Sequence, residues 1–120
     1  MSAEQALKLF VRHYPEFEAA WESPDNYHRA GEAPTPHGVC AEFASFFVAN
    51  ALSLGSKRAA ALLQEVEPLV ATDPQDKDPL ANALCTCFLE NIAQTNAGRT
   101  VAQFMGPASR KYFDLWNADA

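Results

Sequence analysis

The sequence predicts an all-α domain, a compact bundle of five to seven helices. Three observations carry this. Apolar residues recur at three- and four-residue spacings through most of the chain. A capping side chain followed by proline, a strong helix-start signal, stands at Thr35-Pro36 and again at Asp78-Pro79. No segment alternates apolar and polar residues convincingly, and no Asn-Gly or Asp-Gly hairpin dipeptide occurs. With 120 residues, 48% of them hydrophobic, the chain suffices for one domain, residues 1–120, around one core.

In chain order, Ser2 to His13 carries Ala6, Leu7, Phe10 and Val11 at helical spacing, with Ser2 placed to cap it. Pro15 opens a short second helix through Phe17, Ala20 and Trp21. Residues 24–35, with Pro24, Asp25, Asn26, Gly31 and Pro34, read as a loop packed by Tyr27. The helix opened by Thr35-Pro36 runs to about Leu54, stopped by Gly55. Its apolar residues, among them Val39, Phe43, Phe46, Phe47 and Leu52, cover most of its circumference, so it is buried on several sides or turns one side to a partner. Ser56 caps the next helix, whose apolar face is Ala59, Leu62, Leu63, Val66, Leu69 and Val70. Pro68 falls inside that pattern and predicts a kink, or a break near Glu67. After a charged turn, Asp78-Pro79 opens a central packing helix that places Asn82, Thr86, Glu90 and Asn91 among apolar residues. Gly98 and Gly106-Pro107 then read as separators, giving a short helix around Thr100 to Met105 and a last one from Pro107 to about Asn117.

A net charge of −6 argues against a phosphate-backbone partner, which needs clustered Lys and Arg. It permits a basic protein partner. Met1 to Leu7 shows no basic region followed by an apolar run, so no secretory leader is expected. The longest apolar run falls short of the roughly 18 residues of a membrane span, and no membrane partner is expected. Three cysteines, two of them too close together to staple a loop, read as free thiols of a cytoplasmic protein.

Four constellations bear on chemistry. His37, Cys40, Cys85 and Cys87 suggest zinc, but Cys85 and Cys87 lie two apart and point about 200° from each other on an α-helix. Neither a metal nor a cofactor is expected. His37 and Cys40 share a helical face near a helix N-terminus, where a thiol could be activated; the plainer reading is a packed thiol. Glu42 and Glu90, each in a strongly apolar helix, read with Asn82, Asn91 and Tyr112 as a polar network inside the bundle. Glu16, Glu18, Glu22 and Asp25 form an acidic cluster, of which the last three follow helical spacing. It could receive a basic partner surface. No phosphate-binding, dinucleotide-binding, serine-hydrolase or zinc-protease motif is present, and no enzyme activity is expected.

His37-Gly-Val-Cys-Ala-Glu-Phe43, Asn82-Ala-Leu-Cys-Thr-Cys-Phe-Leu-Glu-Asn91 and Gly106-Pro-Ala-Ser-Arg-Lys-Tyr-Phe-Asp-Leu-Trp116 resemble a family of small bacterial proteins of unknown function. The resemblance covers about residues 36 to 117. It implies a compact, cytoplasmic, single-domain protein and carries over no catalytic residue. By analogy of size and charge, it suggests an immunity protein that neutralises a bacterial toxin by direct binding, using acidic groups and exposed aromatics as anchors; the unusually apolar Phe43-Phe46-Phe47 helix adds to that motive. The alternatives are a module that self-associates as a homodimer through the same helix, and a small enzyme using Cys40 and His37.

Overall fold

The computed structural model describes residues 3–22, 35–71 and 83–117. The expected Ser2 cap, the Tyr27 loop, the Asp78-Pro79 helix start, Asp25 and Asn82 lie outside the described residues. Within them the chain is an all-helical compact globule without strands. Seven helices follow in order: α1 Ala3–His13, α2 Glu16–Trp21, α3 Pro36–Leu54, α4 Ser56–Ala71, α5, α6 Asn96–Val101 and α7 Pro107–Asn117. In α5 a π-helical stretch, Leu84–Leu89, runs into an α-helical turn, Glu90–Ile92; a single 3-10 turn, Ala102–Phe104, follows α6.

The hub is α3, which packs against α1, α2, α4, α5 and α6, while α4 packs on α7 and α1. Local chemistry sets its ends. The Thr35 hydroxyl accepts from the Gly38 N–H at 3.0 Å with Pro36 in the first turn, and Gly55 closes the helix at φ 98°, a conformation that glycine adopts without a Cβ penalty. By length and composition α3 could cross a membrane, with a mean hydropathy of 1.2; in this fold it is the core helix, and a core helix has the same composition.

Around α3 gathers an aromatic cluster. Phe43 stacks on Phe10 with centroids 4.0 Å apart, meets Phe17 edge-on at 5.0 Å and lies 5.6 Å from Phe88. Tyr14 reaches Phe43, Phe46 and Phe47 at 5.6–6.2 Å. Phe43 and Phe47 are fully buried and Phe46 partly so. Phe43, Phe46 and Phe47 are therefore core residues rather than anchors for a partner, turned inward because α1, α2 and α5 contribute rings to the same cluster. What α3 exposes instead is Val48 and Leu52, 37% and 54% exposed.

Two local expectations are overturned. Of the kink or break expected from Pro68, the break near Glu67 does not occur: α4 continues to Ala71. Pro68 is exposed, and burial of Val66 and Val70 holds the final turn against the core despite the missing N–H. Gly98 is no separator either; it lies inside α6, which starts at the Thr95 cap rather than near Thr100. The chain turns instead at Gln94, with φ 67°. A Cβ on Gly98 would fall 1.9 Å from the Ile92 carbonyl oxygen, so glycine is required by close backbone approach.

Candidate functional site

Among the described residues, polar side chains tie α4 to its neighbours at three places. At the C-terminus of α1, the Glu65 carboxylate of α4 accepts from Arg12 and lies 2.8 Å from His13 Nε2. At α2, Arg58 Nη1 of α4 donates to both carboxylate oxygens of Glu16 at 2.7 Å. That bond, with lesser help from the Glu16 backbone, holds the Glu16 carboxyl below its ordinary pKa against the opposing effect of desolvation. The same guanidinium sits 5.9 Å from the Tyr14 ring centroid, within cation–π range. The Tyr14 hydroxyl is buried without a hydrogen-bond partner among the described residues, and burial pushes its pKa up to about 12, against the favourable charge of Arg58.

The third tie is the most informative. Gly106-Pro107 starts α7 without a capping side chain of its own, leaving N–H groups of the first turn needing an acceptor. Glu67 of α4 supplies it: its two carboxylate oxygens accept from the Ala108 and Ser109 N–H groups at 2.8 and 3.0 Å. Desolvation is the largest influence on its pKa and raises it, but the bonds from Ser109 and Ala108 together outweigh that and hold the carboxyl below the ordinary value. A Cβ on Gly106 would fall 2.4 Å from the Glu67 side chain, so Gly106 opens the space for this carboxylate. Neither Glu65 nor Glu67 stood out in the sequence. The signal for Glu67 was the absence of Ser, Thr, Asp or Asn immediately before Pro107 at a strong helix start.

The expected acidic cluster is divided by the fold. Glu16 is engaged by Arg58, so it belongs to the α2–α4 joint. Glu18 and Glu22 are exposed. Glu18 has no side-chain partner among the described residues and stands at the rim of a groove between α1 and α2. This groove, about 330 Å³, is lined by Leu7 and Val11 with Glu4, Lys8, Arg12 and Glu18 around them. The Glu4–Lys8 pair at 3.2 Å and the Arg12–Glu65 pair engage the other rim charges. The groove therefore offers an apolar floor and one unpaired carboxylate, an arrangement suited to anchoring a partner's side chain bearing both an apolar stem and a cation.

The other expected sites are placed as follows. Glu42 and Glu90 are half-buried on α3 and α5. Asn91 is exposed and donates to the Cys87 carbonyl of its own helix at 2.8 Å, so it is not the core group expected. Cys40 is fully buried, and burial, with a smaller contribution from Cys87, pushes its thiol far above the ordinary range. Burial raises Cys85 to about 11. A thiol so placed is a packed hydrophobe rather than a nucleophile. Cys87 is half-buried against the same core: the π-helical turn, in which the Glu90 N–H bonds the Cys85 carbonyl, does not follow the α-helical spacing used to place it on the opposite side from Cys85. Among the described residues no three His, Cys, Asp or Glu side chains converge as metal ligands.

No family model, no curated protein and no solved structure matches this chain.

Proposed function

We propose that this chain is a small acidic protein-binding module, and that it acts in the cytoplasm as an immunity protein, neutralising a basic bacterial toxin domain by direct binding. The observation that carries the reading is the α1–α2 groove, where Leu7 and Val11 form an apolar floor and the unpaired Glu18 stands at the rim. Glu22, exposed one turn further along, extends the acidic surface. A Lys- or Arg-bearing segment laid along this groove would bury its stem on Leu7 and Val11 and set its charge on Glu18. The net charge of −6 would speed encounter with a cationic surface. The buried, unactivated Cys40 removes the main support for the enzyme alternative.

The test is co-expression with a toxin domain encoded beside this chain, paired with calorimetry. Wild type is expected to rescue growth and to bind with an affinity that falls steeply with salt. The double change Glu18→Lys with Glu22→Lys should abolish both while leaving the helical circular dichroism spectrum intact. Failure of wild type to rescue or to bind the neighbouring toxin refutes the immunity reading. Full rescue and binding by the double variant refutes the site.

A further inference from the structure

We propose that the outer face of α3 pairs with the same face of a second copy of the chain, the two helices antiparallel about a two-fold axis between residues 46 and 47. The inward face of α3 is a seam of Cys40, Ala44, Phe47 and Ala51, all buried. One position on, Ala41, Ser45, Val48 and Leu52 repeat the same 4-3-4 spacing on the outside. That is the spacing of a helix–helix seam, and among the described residues no helix packs on it. Ser45, Val48 and Leu52 are exposed and Ala41 half-buried.

The seam is its own complement. In an antiparallel pair with this axis, 41 faces 52 and 45 faces 48, so each large residue of one copy falls on a small residue of the other. The receiving end is already hollow. A groove of about 540 Å³ lies over it, floored by Ala41, Ala44, Ser45 and Val48 and walled by Asn91 and Thr95. Leu52, the most exposed large apolar side chain among the described residues, is the knob that two-fold symmetry brings to that groove.

Electrostatics select the same partner and direction. A chain of net charge −6 repels its own copies through a charged face, but Ala41, Ser45, Val48, Ala49, Leu52 and Ser53 present no ionisable group. The first turn of α3 contains no acidic residue and its last turn no basic residue, so neither end of its dipole is compensated from within the helix. Antiparallel pairing sets the positive end of each α3 beside the negative end of the other. The contact uses no residue of the α1–α2 groove, so this inference and the immunity reading stand or fall separately.

Sedimentation velocity on the full chain over a wide concentration range tests it. The mass should rise from 13.1 kDa towards twice that value, more readily at higher salt, where like-charge repulsion is screened. Leu52→Glu should stay monomeric throughout with an unchanged circular dichroism spectrum. The milder Leu52→Ala should weaken the dimer about tenfold or more. Ala41→Lys alone should also be monomeric, whereas Ala41→Lys combined with Leu52→Glu should dimerise again, because the two-fold sets position 41 against position 52. A wild type that is monomeric at all concentrations, a Leu52→Glu variant that still dimerises, or a double variant that stays monomeric overturns the proposal.

Discussion

The joint around α3 and the joint between α4 and α7 hold their helices together by different physics. Around α3, rings from α1, α2, α3 and α5 interlock: Phe10, Tyr14, Phe17, Phe43, Phe47 and Phe88 are all buried, with centroid spacings from 4.0 to 6.3 Å. Attraction there is spread over many weak contacts, and a ring lost from one partner is lost to all. Between α4 and α7 stands Glu67, whose carboxylate serves two backbone N–H groups. The first joint is indifferent to pH near neutrality; the second depends on one charge. Composition alone does not identify the groups that join the helices. A carboxylate on an amphipathic helix, easily read as a solvated residue, caps a helix 40 positions further along the chain.

The largest effect should come from the aromatic joint. Phe43→Ala removes the ring that touches Phe10, Phe17 and Phe88 and leaves a cavity where α1, α2 and α5 meet. A loss of about 3–5 kcal/mol is expected, read by urea denaturation. A loss below about 1 kcal/mol would mean the cluster collapses around the gap and the joint is less specific than its geometry indicates.

Glu67→Gln should cost less, about 1 kcal/mol, the usual scale of a lost helix cap. Its pH dependence is the sharper test. The folded-state pKa of Glu67 is depressed below 4.5, so its stabilisation is fully present above the unfolded value and drains as pH falls through the lower folded value. The stability difference between wild type and Glu67→Gln should therefore be constant near neutrality and shrink below about pH 4.5. A difference that does not change with acid would place the carboxylate's contribution in packing rather than charge.

The smallest effect belongs to Tyr14, which sits in the aromatic joint but carries a polar atom. Its buried hydroxyl has no partner among the described residues, so Tyr14→Phe should be neutral or stabilising by up to about 1 kcal/mol. Because the folded pKa is raised from 10 to about 12, stability from the neutral phenol is complete below pH 10 and is lost as pH rises towards 12. Wild type should therefore lose stability across that alkaline window, and Tyr14→Phe should lose less. Thermal denaturation from pH 8 to 12 separates the two, and equal alkaline losses would show that Tyr14 is hydrated in the fold.

The sequence was most reliable where structure is set by neighbours a few residues away. Thr35-Pro36 and Gly55 bound α3 as expected, and Pro107 opens α7 at the expected residue. Caps and glycine stops act through hydrogen bonds and dihedral limits inside one turn, so their signal is contained in a few consecutive letters. It was least reliable for residues whose role depends on a distant neighbour. Gly98 is needed because the Ile92 carbonyl lies against it, and of the kink or break expected around Pro68 the break near Glu67 does not occur, with Val66 and Val70 buried on either side.

The candidate site divides along the same line. That Glu18 and Glu22 are acidic and helical was legible; that Arg58 would take Glu16 out of their company was not, because 42 positions separate the pair. The periodicity of α3 showed a helix apolar nearly all round but not which side faces out. Rings from α1, α2 and α5 close over Phe43 and Phe47, while Val48 and Leu52 stay exposed. By itself the sequence determined the helical class, most helix boundaries and the acidic character, all consequences of local hydrogen bonding and summed charge. Only the tertiary structure decided which carboxylates are joints, which thiols are buried and which face of α3 is open. Those outcomes depend on which helices meet, and meeting is a property of packing across the whole chain.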